Sequence, residues 1–256
     1  VDELADWTRD GYIVLPGALP AEPCEKLGRE VTSEYERLND AGWRFRGAGR
    51  LAGHLNFRMG QSGLRLLEAV NECRLQAKLE ELDGQRLALV QAVGNLNLPG
   101  SSAQDFHIDG SFDHHSIIAN ICLVPSDKRN GATQLVPQSN RLPMSYWRFC
   151  RDDWPSRAVQ PALNPGDIVI RPSNLWHRGM PNHTTAGRPM AAFVWRAEQP
   201  SNASVRCADL DHNLTIFENK YSGRFRVAKE FTAVYLPRLD HLVRLGKCLL
   251  DDNRRN

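Results

Sequence analysis

Between residues 86 and 197 the chain reads as a succession of short apolar runs, each closed by a residue that interrupts regular structure. RLALVQAVGNLNL (86–98), SIIANICLV (116–124), ATQLVP (132–137), GDIVIRP (166–172) and PMAAFVWRA (189–197) are rich in Val, Ile, Ala and aromatic residues, and Gly, Pro, Asn or Asp bounds each of them. Such side chains suit a pleated, half-buried surface, and several of these runs at fairly even spacing predict antiparallel strands in a sandwich or barrel. The flanks have another period. Over 21–39, Cys24, Leu27, Val31, Tyr35 and Leu38 recur at spacings of three and four, one apolar face of an amphipathic helix. A second helical stretch follows Ser62, with Leu64, Leu67, Val70 and Cys73 and then Leu79 and Leu82. GYIVLPG (11–17) reads as a short strand and turn, and the Gly-rich, basic stretch 44–60 as a loop. Helical spacing returns over about 225–250, where Pro237 should break or kink it.

Helices packed on an antiparallel β core, mostly β in content (α+β), is the class this pattern predicts. No repeat and no Gly/Ser/Pro linker divides the chain. A single domain over 1–256 is expected, mainly helical over 1–85, β-rich over 86–200, with a C-terminal helical extension over 201–256. Hydrophobic residues at 41% are too many for a disordered chain, and a net charge of +2 provides no basic footprint for nucleic acid. No apolar run approaches the ~18 residues of a membrane span. The opening VDELADWTRDGYIVL is acidic where a signal peptide is basic, so a cytoplasmic protein without nucleic-acid or membrane partners is expected, a monomer or homodimer. The chain begins at Val1 rather than Met, which leaves its native start open. The six scattered cysteines include no CxxC pair and read as free thiols rather than a zinc site or disulfide framework.

The chemistry-bearing pattern is His107-Ile108-Asp109 followed by Trp176-His177 and then Arg188. On a strand, residues i and i+2 share a face, so the imidazole of His107 and the carboxylate of Asp109 should project together. Two His and one carboxylate on one face of a metal, with the remaining positions open, are the ligand set of non-haem Fe(II) oxygenases. A 2-oxo acid can occupy two of those open positions and dioxygen the third. Arg188, eleven residues after His177, suits a loop into the neighbouring strand, and its planar guanidinium can hold the distal carboxylate of 2-oxoglutarate by two parallel hydrogen bonds. His183 competes with His177 as the distal ligand; His177 is favoured because it directly follows a strand. His114 and His115, just past the HxD triplet, and Arg196, at the end of the last core strand, are candidate substrate contacts. Arg58 is another, within a basic loop that also holds Arg44, Arg46, Arg50, His54 and Asn56 and reads either as solvated surface or as a lid.

These motifs resemble the phytanoyl-CoA dioxygenase-like branch of the Fe(II)/2-oxoglutarate oxygenases over most of the chain. DGYIVLPGALPAEPCEKL resembles the family's N-terminal strand and helix, HIDGSF its HxD element, NGATQLVPQSN its strand with V-P-x-S, and WHRGMPNHTTAGR its distal His…Arg element. Asn140 stands where the family often has His, and Trp195 where Tyr is common. The resemblance implies a double-stranded β-helix (jelly-roll) core, Fe(II) held by His107, Asp109 and His177, and 2-oxoglutarate anchored by Arg188 with help from Asn97 and Thr133. It implies dioxygen as the oxidant. Because Asp109 keeps a carboxylate where related halogenases have a small residue, hydroxylation, desaturation or another two-electron oxidation is expected rather than halogenation. The substrate class so implied is a small polar or anionic metabolite, with natural-product biosynthesis as one setting. Two rivals come from other classes: a metal- or ligand-binding jelly-roll without turnover, and a metal-dependent hydrolase using the same three ligands.

Overall fold

A computed structural model describes residues 3–43, 51–110, 112, 116–197, 207–217 and 231–253. Seven strands form one antiparallel sheet: β1 (Ile13–Leu15), β2 (His54–Arg58), β3 (Leu87–Asn97), β4 (Ile117–Cys122), β6 (Ile168–Pro172), β8 (Arg188–Ala197) and β9 (Thr215–Phe217), in the order β1-β6-β4-β8-β3-β2-β9. A smaller sheet pairs β5 (Gln134–Leu135) with β7 (His177–Arg178), and single bridges extend it from His177 to His107 and from Leu135 to Val159. The architecture is an antiparallel β core with flanking helices, as the strand pattern predicts, and agrees with the double-stranded β-helix that the family resemblance implies.

Period-two alternation decides which face of the large sheet is dry. Ile117, Ala119 and Ile121 of β4, Ile168 and Ile170 of β6, and Ala191, Phe193 and Trp195 of β8 belong to one buried apolar cluster. That cluster includes Cys24, Leu27 and Val31 of α2 (Ala21–Asp40), Leu66 and Val70 of α3 (Leu64–Glu72), and Leu75 and Leu79 of α4 (Leu75–Asp83). The alternate residues Ile118 and Asn120, Arg171, and Ala192, Val194 and Arg196 line a cavity on the opposite face. Neighbouring side chains on a strand point to opposite faces. The same strands therefore build a helix-covered core outward and a polar interior inward.

Phe193 is fully buried on the core side, so Phe193→Ala is expected to destabilise the fold by about 3–5 kcal/mol. Urea unfolding of the variant measures this; an unchanged midpoint would mean the sheet–helix layer does not carry the stability.

Several boundaries differ from the sequence expectation. Residues 54–58, read as loop, form β2, because Leu55 and Phe57 have apolar cover on the helix side; residues 44–50, with Arg44, Arg46 and Arg50, lie outside the described residues. The sheet draws β1, β2 and β9 from outside 86–200. The second helical stretch divides at Arg74, whose left-handed φ of 55° separates α3 from α4. ATQLVP contributes only two ladder residues. Residues 231–235 are helical, and Pro237 opens a new helix, α6 (Pro237–Asn253), rather than kinking one; at a first helical position the missing N–H costs no hydrogen bond. The described cysteines Cys24, Cys73, Cys122, Cys150 and Cys207 are free thiols. Among the described residues, no helix is long and apolar enough to cross a membrane.

Candidate active site

His107 and His177 are brought together by backbone pairing. Each donates its N–H to the other's carbonyl at 3.0 Å, and the two rings lie 4.5 Å apart between centroids. His107 Nδ1 is 2.8 Å from the Asp105 carbonyl and His177 Nδ1 is 2.9 Å from the Leu175 carbonyl. A carbonyl only accepts, so each contact makes Nδ1 the protonated nitrogen and leaves the Nε2 lone pair for a cation. The HxD triplet is not a regular strand: only His107 is bridged, and Asp109 sits in the bend that follows, held by its N–H donating to the Ser173 carbonyl at 2.8 Å. Its carboxylate still returns to the histidines, with Oδ2 3.5 Å from His177 Nε2. One ligand atom from each of the three residues lies within 4.8 Å of the others.

The electrostatics suit a cation. Burial, then the nearby charge of Arg171, pushes the His177 imidazole down to about 3, so it is neutral and can donate a lone pair at neutral pH. Burial alone would raise the Asp109 carboxyl. The imidazole of His177 when protonated, then the Arg171 guanidinium and the imidazole of His107 when protonated, outweigh that and hold it well below the usual carboxylate range. Of these, Arg171 is the permanent charge: its Nη2 donates to Asp109 Oδ2 at 2.7 Å, and its Nε to Asn120 Oδ1 at 3.0 Å.

Arg188 begins β8 directly opposite Asn97, the last residue of β3. It is 2% exposed, and burial pushes its guanidinium down to about 10. Its Nη2 donates to the Gly131 carbonyl at 2.9 Å, while its Nε and the buried Asn97 Oδ1 have no hydrogen-bond partner among the described residues. The Asn97 amide nitrogen is engaged by the carbonyls of Met180 at 2.9 Å and Gly131 at 3.4 Å. Gly131 has φ +80°, and a Cβ there would collide with the Asn97 amide and the Met180 carbonyl, so glycine at this position lets the loop reach Arg188. Half-buried Thr133 follows two residues later, just before β5. A buried guanidinium facing only a carbonyl is costly to desolvate and calls for an anion.

The other candidates fall apart in space. Arg58 lies at the opposite end of β2 from His54, paired with Asp209 at 3.1 Å and lying over the Phe217 ring. His183 is exposed and donates its backbone N–H to the Arg129 carbonyl, outside the triad. His114 and His115 lie outside the described residues. Arg196 lines a cavity of about 310 Å³ that reaches Asp109 and Arg171. A wider depression of about 460 Å³, lined by Glu30, Arg37 and Asn213, holds no comparable set of donors.

Two residues of the site, Arg171 and Arg244, have no place in the sequence reading, and a third, His54, enters it only within a stretch read as surface loop or lid. Arg171 could have been found as the one charge within the strand IVIRP (168–172), on the face shared with Val169. His54, taken for part of a loop, is 3% exposed with Nε2 2.8 Å from the Ser102 carbonyl, and burial pushes it down to about 4. Arg244 of α6 had no sequence signal. It pairs with Asp105 at 2.6 Å, donates to the Phe106 carbonyl at 3.1 Å and lies over the Tyr146 ring, so the helix grips the two residues preceding His107. Arg244→Ala is expected to weaken Fe(II) binding by about 10–100-fold, the usual effect of losing a group that orients a ligand. Calorimetric titration measures this, with partial recovery expected in Arg244→Lys; unchanged affinity in the alanine variant would remove the helix from the site.

Fold and donors together define a double-stranded β-helix protein with a His–Asp–His set able to hold one metal ion beside a buried arginine. The chain belongs to the phytanoyl-CoA dioxygenase (PhyH) family, whose model matches residues 7–190. It is 30% identical over 112 residues to dioxygenase af480 of Aspergillus fumigatus, a match covering 41% of this chain and about a third (36%) of that relative's length. Its fold is similar to that of the epimerase SnoN, solved with Fe3+, α-ketoglutarate and nogalamycin RO. That likeness has a TM-score of 0.61 at 23% identity and covers 76% of this chain and 82% of SnoN. It is also similar to EctD from S. alaskensis with 2-oxoglutarate and 5-hydroxyectoine, with a TM-score of 0.59 at 19% identity over 76% of this chain and 74% of EctD. Identities this low establish a shared fold and no more.

Proposed function

We propose that this protein is an Fe(II)- and 2-oxoglutarate-dependent dioxygenase that hydroxylates, or otherwise oxidises by two electrons, an unactivated C–H bond of a small molecule. The observation that carries the reading is the buried, under-satisfied guanidinium of Arg188, close enough to act on the same buried His54 as His107, one of three converging metal donors. His107, Asp109 and His177 would hold the iron, and Arg188 the distal carboxylate of 2-oxoglutarate, with Asn97 and Thr133 lining that end. When bound, Fe(II) with 2-oxoglutarate and dioxygen would supply the oxidant: one oxygen atom enters succinate as carbon dioxide leaves, and the other enters the product in a hydroxylation or leaves as water in a desaturation.

The chain's own residues position and insulate this chemistry. The Asp105 and Leu175 carbonyls hold Nδ1–H of the two imidazoles, so both rings are oriented to present Nε2 to the metal. Arg171 holds Asp109 ionised and orients its carboxylate. His177 and Arg188, both nearly inaccessible to water, face the reaction from a dry wall, where a charge-assisted hydrogen bond is stronger than in solvent. A hydrolase using the same donors would leave Arg188 without a task, and a binding module would need no such anchor beside its metal.

Purified protein supplied with Fe(II), 2-oxoglutarate and air is expected to form succinate, and the His107→Ala variant is not. Equal succinate from both proteins would reject the assignment. A mixed metabolite pool added to the active sample should give a product heavier by one oxygen atom for a hydroxylation, or lighter by two hydrogen atoms for a desaturation.

A further inference from the structure

β8 carries an arginine at each end of its inward-facing row. Alternate residues of a strand share a face, so Arg188, Met190, Ala192, Val194 and Arg196 point the same way. At the usual rise, eight residues separate the two guanidinium-bearing positions by about 26 Å, too far for one small carboxylate to bridge. The two arginines also differ in setting. Arg188 is sealed at 2% exposure, whereas Arg196 is exposed at the cavity wall, where its Nε donates to Ser116 Oγ at 3.0 Å and, among the described residues, neither Nη group is engaged. Among the described residues Arg196 has no carboxylate partner, which leaves both Nη groups for a ligand.

The charge of the cavity points the same way. Its described lining includes two guanidiniums, Arg171 and Arg196, against a single carboxylate, Asp109. Arg171 already holds Asp109 and keeps a buried Nη1 without a partner, and a divalent cation on Asp109 would make the surplus of positive charge larger. Between the arginines the wall is apolar or neutral, with Val194 and Ile118 flanked by Gln91 and Asn120.

We propose that this cavity takes a small molecule bearing a carboxylate or phosphate. Its oxyanion docks on the two Nη groups of Arg196, and its carbon stem lies along Val194 and Ile118 toward Asp109. The inference rests on the oxygenase reading for the reaction and goes beyond it by naming the substrate class and the group that selects it. A planar guanidinium with its fork free binds either oxyanion by two parallel hydrogen bonds, and the surplus charge disfavours cationic competitors. Arg188 and Arg196 thereby divide two acids between the ends of one strand, the cosubstrate at one and the substrate at the other.

The test uses Fe(II)-loaded protein without oxygen, with saturating 2-oxoglutarate to occupy the Arg188 end. Hexanoate, hexyl phosphate and the uncharged hexanamide are titrated by calorimetry. At least one of the two anions is expected to bind tenfold or more tightly than the amide, and the tighter of the two identifies the docked group. Arg196→Gln should erase that preference at an unchanged melting temperature, Arg196→Lys should keep part of it, and Arg188→Gln should leave it intact. Equal binding of acid and amide, a preference surviving Arg196→Gln or lost in Arg188→Gln, or no binding of either anion at millimolar concentration would each overturn the proposal. Iron and 2-oxoglutarate uptake are measured in the same samples. Their failure counts against the oxygenase reading alone, since the anion preference can still be read on metal-free protein.

Discussion

His177→Ala is expected to lose Fe(II) affinity by at least about 100-fold and to form no measurable succinate, while remaining folded. Loss of a group that merely orients a ligand already costs about 10–100-fold in affinity; here the ligand itself is removed and two donors remain. The fold should survive because His177 is held in its sheet by backbone groups, through the paired hydrogen bonds with His107 and the register with Leu135, all of which alanine retains. Metal titration followed by anion exchange and circular dichroism separates the two effects. A folded variant that still binds iron and turns over would assign the distal ligand elsewhere, and exposed His183 is the nearest rival in sequence.

The second large effect is Arg188→Met, and its direction differs between ligand-free and ligand-bound protein. In the wild-type protein without cosubstrate, a guanidinium that is 2% exposed faces one carbonyl with its Nε unpaired. An apolar residue of similar volume removes a desolvated charge whose hydrogen bond to the Gly131 carbonyl does not offset its burial. The variant is therefore expected to melt no lower than wild type when both are free of 2-oxoglutarate. The same change deprives a buried carboxylate of its partner, which costs about 2–5 kcal/mol, or roughly 30- to several-thousand-fold in 2-oxoglutarate affinity. Iron binding should change little, because Arg188 hydrogen-bonds none of the three donors. Differential scanning calorimetry with and without 2-oxoglutarate reads both signs. A variant that binds 2-oxoglutarate as wild type does would take the anchor away from Arg188.

The parts of the site legible in the sequence were those whose chemistry stands out locally. His107, Asp109, His177 and Arg188 are polar residues at strand ends, where an apolar pattern stops, and their order along the chain suggested one metal and one anion. The triplet was expected to converge because it lay on a strand, whereas Asp109 leaves the strand and is aimed by a bend and by the Ser173 carbonyl. Arg58 and His54 looked alike in a basic, Gly-rich stretch. The structure separates them, one in a surface ion pair and the other buried in the sheet, because burial depends on which strand lies alongside.

What the sequence determined by itself was the kind of layer each segment could enter. Periods of two and of three to four residues are properties of neighbouring positions, so the strands of the core, α2 and the outward apolar rows follow from short-range pattern alone. Tertiary structure alone decided which inward polar groups meet. Arg171 reaches Asp109 across 62 positions and Arg244 reaches Phe106 across 138, and the pairing of β3 with β8 sets Asn97 opposite Arg188. No local period encodes such distances. They are set by strand order and register, which the burial of both faces of the sheet selects at once.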